Sequence, residues 1–213
     1  MQSIPQIMEK KLVILGAGES GVGAAILGKK MGYEVFLSDQ NDIDTELQAL
    51  LVKEGILWEA GQHTLESMQE AHLVIKSPGI PSDVPLIKTL KAQGKTICSE
   101  IEFAAQHTSA TLIGITGTNG KTTTTLLTYQ ILKDAGLHVG MAGNIGNSFA
   151  LQVAETDFDF YVLELSSFQL DDIQDFAPHI AVITNITPDH LDRYNYQFEA
   201  YIQSKLKISE NQT

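Results

Sequence analysis

The segment TLIGITGTNGKTTTT, Thr111 to Thr125, constrains this chain more than any other. A β-rich run passes through Gly117 and Gly120 straight into a helical stretch, Lys121 to Ala135. A strand that turns through glycines into a helix is the first half of a βαβ unit, so its sheet is parallel and covered by helices. The same junction occurs near the N-terminus, where KLVILG (Lys11 to Gly16) runs into GAGESG and a helical stretch from Ser20 to Met31. Around the first junction, Tyr33 to Asp39, Ala71 to Gly79 and Lys95 to Glu100 read as further strands. Thr45 to Glu54 and Val84 to Ala92 read as helices. Around the second, Leu137 to Gly143, Asp159 to Ser166 and His179 to Asn185 read as strands and Phe198 to Ser209 as a helix. The fold class expected is α/β: a Rossmann-like parallel-sheet domain over residues 1–102, then a P-loop ATPase α/β domain over residues 103–213.

Composition narrows the function. Of 213 residues, 43% are hydrophobic and 19% charged, enough to build a core. Lys+Arg is 14 and Asp+Glu is 26, a formal charge of −12. Split at Glu102, the first part carries 9 basic and 14 acidic residues and the second 5 and 12, so neither half offers the basic surface that nucleic acid requires. A single anionic ligand held by backbone N–H groups remains open. One cysteine, Cys98, excludes an internal disulfide and any cysteine-based zinc site. No apolar run reaches the length of a membrane span, and the N-terminus lacks a signal-peptide pattern, so a soluble cytoplasmic protein is expected. Four candidate strands make a thin second sheet, and the chain ends just after a helix. The ATPase unit is therefore expected to be incomplete and the polypeptide to be the N-terminal part of a longer one. Oligomeric state leaves no trace in the sequence.

The two glycine junctions are candidate phosphate sites. Gly16, Gly18 and Gly21 satisfy G-x-G-x-x-G between a strand and a helix, with Glu19 and Ser20 inside the turn and Asp39 at the end of the next strand. Glycines let the backbone approach a diphosphate, and the helix N-terminus presents free N–H groups to it. NAD or another nucleotide diphosphate would suit this turn, and a tight turn needed only for packing would also use these glycines. In the second loop, Gly117, Thr118, Asn119, Gly120, Lys121, Thr122 and Thr123 suit ATP phosphates. Lys121 would reach the β- and γ-phosphates and Thr122 would hold Mg²⁺. The strict phosphate-loop spacing wants glycine at 115, which is Ile115, and Gly114 sits one residue early. A lysine at a helix start opposes the macrodipole unless an anion is present.

Two further segments fall at strand ends, where ligands of parallel sheets gather. Glu164 stands among Val162, Leu163 and Leu165, so a buried carboxylate there needs a partner, and Mg²⁺ is the natural one. The alternative is a strand-edge glutamate facing solvent. His190 lies between Asp189 and Asp192 in NITPDHLDRY and reads either as a metal ligand or as part of a polar helix start.

In this order GTNGKTTTT, GNIG (Gly143 to Gly146), LELSSFQL and NITPDHLDRY resemble the motifs of the Mur ligase family of peptidoglycan synthesis, and the resemblance covers essentially the whole chain. LELSSFQL and TPDHLDRY look most like the branch that adds D-glutamate to UDP-N-acetylmuramoyl-L-alanine, while Phe168 and Gln169 after the two serines and Asn119 in the loop differ from what other branches show. The resemblance implies a Rossmann-like domain for the UDP-sugar, a central ATPase domain and a C-terminal domain, of which this chain would carry the first and part of the second. It implies that Gly16, Gly18, Glu19, Ser20 and Gly21, with Asp39, Ser77 and Gly79, hold the UDP portion rather than NAD. Asn144, Ser166 and Gln169 would meet the muramoyl-alanine end. ATP and Mg²⁺ would be required, with Thr122, Glu164 and His190 around the metal ions. Lys205 matches a lysine that the family carbamylates, which turns a cation into an anionic ligand; its sequence alone reads as a solvated helix lysine. Lys121, His190 and Lys205 would form the catalytic set of an acid–amino-acid ligase working through an acyl phosphate. Three alternatives stay open: an NAD(P)-binding oxidoreductase, another Mur or folylpolyglutamate-type ligase, and a nucleotide-binding module without turnover.

Overall fold

The computed structural model describes residues 10–212. The N-terminal stretch, without a signal-peptide pattern in sequence, lies largely outside them. Five strands, β1 (Lys11–Leu15), β2 (Glu34–Ser38), β3 (Leu57–Glu59), β4 (Leu73–Lys76) and β5 (Thr96–Cys98), form a parallel sheet in the order β3-β2-β1-β4-β5. Helices α1 (Glu19–Lys30), α2 (Thr45–Lys53), α3 (Leu65–Met68) and α4 (Pro85–Ala92) connect them, and α5 (Glu100–Ala105) follows. The second sheet is also parallel: β6 (Thr111–Thr116), β7 (Val139–Gly143), β8 (Phe160–Glu164) and β9 (Ile180–Ile183) in the order β7-β8-β6-β9. Its helices are α6 (Lys121–Asp134), α7 (Phe149–Glu155), α8 (Ser167–Leu170) and α9 (Phe198–Leu206). Among the described residues no helix is long and apolar enough to cross a membrane.

Strand order decides where ligands can sit. In the first sheet the chain goes outward from β1 through β2 to β3, then returns to pair β4 on the other side of β1. The crevice at that reversal opens between the ends of β1 and β4, beside Gly16 and Ser77. In the second sheet β6 lies between β8 and β9, so the segments after Thr116, Glu164 and Ile183 converge. Both glycine junctions therefore stand at reversal points.

Five elements go beyond the sequence expectation: β3, α3, α5, α7 and α8. The strand expected over Lys95 to Glu100 ends at Cys98. Ser99 there accepts a hydrogen bond from Glu102 N (3.1 Å) and starts a helix. The strand expected from Leu137 begins at Val139, after a turn at Gly136 (φ +79°). The last helix closes at Leu206 and tightens into a 3₁₀ turn, Lys207–Ser209.

One apolar cluster runs through both sheets. It joins Leu12, Ile14 and Leu27 through Ile101 and Phe103 to Phe149, Tyr161 and Leu163. Helix α1 meets α7 so closely that a Cβ on Gly23 would stand 2.1 Å from Ser148 Oγ. Burying a continuous apolar surface is the dominant favourable contribution to such packing.

Candidate functional site

The first glycine turn is built by close approach. Gly16 has φ +99°, and a Cβ there would stand 2.6 Å from Ser77 Cβ. A Cβ on Gly21 would stand 1.9 Å from Gly16 O, whereas one on Gly18 meets nothing within 4 Å. Gly16 and Gly21 thus satisfy the backbone, and Gly18 leaves space for something else. Asp39 braces the turn from β2: Oδ2 accepts from Ala17 N at 2.7 Å and Oδ1 from Asn41 N at 2.8 Å. A cleft of about 460 Å³ opens here, lined by Gly16, Gly18, Asp39, Ser77, Gly79 and His63 among others. Glu19 and Ser20, in the first turn of α1, do not line it.

His63 carried no sequence signal. Its Nδ1 lies 2.7 Å from Ser38 Oγ, which also donates to Glu59 Oε1 at 2.8 Å. Burial lowers its pKa, opposed by the charges of Asp39 and Glu59. An isolated histidine between β3 and α3 has no periodicity or motif to reveal it.

The second loop is fixed by the segment after β9. Thr118 N donates to Asn185 O (2.9 Å) and Asn119 N to Asn185 Oδ1 (3.1 Å), while Thr184 Oγ1 donates to Asn119 O (2.7 Å). Gly117 has φ +143°, and a Cβ there would stand 1.9 Å from Thr184 Oγ1. Gly120 has φ +82° with open space beside it. Helix α6 starts with no side-chain cap, so its first-turn amides, around Thr122 and Thr123, are open to an anion. Lys121 folds back over the loop, donating to Gly117 O (2.9 Å) and Thr118 O (3.0 Å).

Lys205 of α9 reaches the same carbonyl. It is 1% exposed, which sets aside the solvated-lysine reading. Its Nζ donates to Gly117 O at 2.8 Å and lies 4.8 Å from the centre of the Tyr201 ring. Burial first and the neighbouring Lys121 second bring its pKa down to about 8, against the pull of Asp189 and Asp171. Two lysine side chains on one carbonyl oxygen call for an anion, or for a change of charge on one of them.

Glu164, at the end of β8, is 1% exposed, so the solvent-facing reading is also set aside. Oε1 accepts from Asn144 Nδ2 at 2.7 Å, and Asn144 N donates to Glu164 O at 2.8 Å. Oε2 is buried with no hydrogen-bond partner. A buried anionic oxygen left bare is costly, and it fits a hard cation such as Mg²⁺. Among the described residues, no three His, Cys, Asp or Glu side chains form a metal-binding group.

Ser166 and Gln169 serve each other. Gln169 N donates to Ser166 Oγ (3.3 Å), and Gln169 Oε1 accepts from Ser166 N and Oγ (both 3.0 Å), closing a capping box on α8. His190 is exposed, sits in the left-handed region (φ +48°) and lies 3.6 Å from Asp189. Its ring centre is 5.3 Å from that of Phe168. The structure thus gathers Gly117, Thr118, Lys121 and Lys205 around one carbonyl. Glu164 and Asn144 are joined at the neighbouring strand end, and His190 stands in an exposed loop.

Residues 10–99 match the family model "Mur ligase MurD-like, N-terminal domain", and residues 115–213 match "Mur ligase middle domain". The UDP-N-acetylmuramoylalanine–D-glutamate ligase of Bacteroides fragilis is 57% identical over 204 residues, 96% of this chain and 46% of that protein. The ligase of the same name from Chlorobaculum tepidum is 44% identical over 214 residues, 98% of this chain and 46% of that one. The chain spans about half the length of the curated relatives it matches. Among solved structures, the UDP-N-acetylmuramate-alanine ligase MurC of Thermotoga maritima aligns with a TM-score of 0.60 and 25% identity, covering 95% of this chain and 47% of that one. The murein peptide ligase MPL of Neisseria meningitides aligns at 0.60 and 20% identity, over 94% and 68%, a likeness of fold. The two family models together cover most of the chain, and the chain belongs to the Mur ligase family.

Proposed function

We propose that this chain supplies the nucleotide-sugar cleft and the ATP phosphate loop of an enzyme that joins D-glutamate to UDP-N-acetylmuramoyl-L-alanine, using ATP and Mg²⁺. The division is at residue 102, with a UDP-sugar-binding unit before it and the N-terminal part of an ATPase unit after it. Family membership displaces the oxidoreductase alternative, and the names of the relatives favour D-glutamate over other amino acids. The observation that carries the reading is the pair of lysines on Gly117 O beside an uncapped helix start.

Gly16, Gly18 and Gly21, with Asp39, Ser77 and Gly79, would receive the UDP portion. Asn144, Ser166 and Gln169 would face the muramoyl-alanine end. Thr122, Glu164, His190 and Lys205 as its carbamate would hold Mg²⁺, which neutralises phosphate charge when bound. Burial beside Lys121 favours the neutral amine of Lys205, the form that takes up CO₂. Lys121 and the first-turn amides of α6 would hold the γ-phosphoryl group in line with the alanine carboxylate. The carboxylate oxygen bonds to phosphorus as the bond to ADP breaks. The amine of D-glutamate then attacks the acyl carbon, and phosphate leaves. Positioning and charge stabilisation supply most of the rate in such transfers. ATP and nucleotide sugars place the reaction in the cytoplasm.

The test uses a polypeptide of the relatives' full length. Lys121→Ala should lower D-glutamate-dependent phosphate release at least ~10³-fold, while calorimetry with UDP-N-acetylmuramoyl-L-alanine stays unchanged. Wild-type-like release would refute the assignment.

A further inference from the structure

We propose that Arg193, in the second unit, is a positioning residue for the nucleotide-sugar cleft of the first, acting through the turn that follows β4. The inference rests on the proposed use of that cleft and names a residue that neither glycine motif contains.

The turn Ser77 to Ile80 forms one wall of the cleft, and Gly16 packs directly against Ser77. The turn is held from across the unit boundary at two points. Arg193 Nη2 donates to Pro78 O at 3.1 Å and Nη1 to Gly79 O at 3.4 Å. On the other side Asp172, just after α8, pairs with Lys76 Nζ at 2.6 Å and accepts from Ser82 Oγ at 3.0 Å. Lys76 is 2% exposed and also donates to Ile80 O at 2.5 Å. The turn is thus clasped at its stem by an ion pair and at its tip by a guanidinium.

The guanidinium is itself prepared for this role. Its Cζ lies 4.5 Å from the centre of the Phe168 ring, which fixes its plane. Among the described residues it makes no ion pair, so its fork is spent on two carbonyls. The short 3₁₀ turn that carries it, Leu191–Tyr194, is bracketed by His190 (φ +48°), Asn195 (φ +52°) and Tyr196 (φ +58°). Three non-glycine residues in the left-handed region within one loop cost free energy that surrounding contacts must offset, and such strain gathers at functional sites. Here the strained loop carries both Arg193 and His190, and Phe168 touches both. A ligand that fills the cleft against Ser77 and Gly79 therefore presses on a turn whose other face contacts the loop holding His190.

The experiment compares the 213-residue chain with Arg193→Ala and Arg193→Lys. Calorimetry with UDP-N-acetylmuramoyl-L-alanine should show affinity falling about ten-fold in Arg193→Ala. Arg193→Lys should recover part of it, since an ammonium keeps the charge and the donors but lacks the planar fork that stacks on Phe168 while reaching both carbonyls. Amide hydrogen exchange at Ser77, Gly79 and Ile80 should quicken in Arg193→Ala, with exchange in α2 unchanged as the control for general loosening. Unchanged exchange at these three amides overturns the proposal. Unchanged affinity in a chain whose wild type binds the sugar nucleotide also overturns it and leaves the proposed function standing. A wild type that binds no UDP-sugar sinks the functional reading instead, and exchange alone then decides whether Arg193 holds the turn.

Discussion

Glu164 is buried with one oxygen committed to Asn144 and the other bare. In the absence of a cation this arrangement works against folding, because a buried charge with half its acceptor capacity unused recovers little of its lost hydration. Glu164→Gln removes the charge while keeping an acceptor for Asn144. The expected outcome without Mg²⁺ is equal or greater stability, by up to about 1 kcal/mol in urea unfolding. With Mg²⁺ and ATP, the thermal shift seen for wild type should shrink sharply in the variant. Loss of stability in metal-free buffer, with the shift intact, would show that Glu164 is a structural hydrogen-bond partner. Lys205 is its counterpart of opposite sign: both side chains are buried with incomplete partners. Stability alone does not select such residues.

At the scale of elements, α5 shows how a charged segment can be a joint. Glu100 and Glu102 are 3% and 2% exposed. Glu100 Oε1 accepts from Ser148 Oγ at 2.8 Å and Ala150 N at 2.6 Å. Glu102 Oε2 accepts from Gln174 N at 2.9 Å and Phe176 N at 3.0 Å. Burial lifts the Glu100 carboxyl above its ordinary 4.5, with the three hydrogen bonds from residues 148–150 opposing. From pH 4.5 up to that raised value the folded chain keeps a proton the unfolded chain has released. The contribution of Glu100 to stability is therefore largest below pH 4.5 and declines as pH rises through the window. Glu100→Gln keeps the acceptor and removes the titration. The wild-type-minus-variant difference in urea unfolding should fall as pH rises from about 4.5 and then level off. Glu100→Ala, which also strands the donors, should cost about 2–4 kcal/mol below pH 4.5 and show the same decline as pH rises. A difference for Glu100→Gln that stays flat with pH would mean that the carboxyl does not titrate in that window.

The same helix marks the limit of what sequence could tell. Glycine junctions, buried strands and the carboxylate among apolar neighbours were legible because each is a local pattern. Glu100 reads as the end of a strand and Glu102 as the unit boundary, since nothing local says that backbone amides 50 to 74 residues away will meet them. Strand β3 has three residues with Leu57 69% exposed, so it lacks the apolar run that betrays β1. Helix α7 depends on Ser148 as its cap, but that serine lies in a loop of small polar residues. Lys205 was visible only through resemblance, because a helix lysine is usually solvated and its burial arises from contact with Gly117, 88 residues earlier.

For the whole molecule, packing and hydrogen bonds cross the boundary at residue 102. A cut after Glu102 separates two sheets but crosses a continuous apolar cluster. It leaves Lys76 buried without Asp172, exposes the α1 face that packs on α7, and strips Glu100 and Glu102 of donors from 148–150 and 174–176. Breaking one buried ion pair by removing a partner costs about 3–5 kcal/mol, and each stranded buried acceptor adds about 1–3 kcal/mol. A small domain has only about 5–15 kcal/mol in total. The excised piece 10–102 is therefore expected to lack a cooperative thermal transition and a dispersed amide spectrum, although its five-stranded sheet has every strand. Returning the residues up to 212 should restore both. A sharp transition for 10–102 within about 5 °C of the longer chain would show that the first sheet is stabilised independently. The clasp across the boundary would then be an association between finished domains.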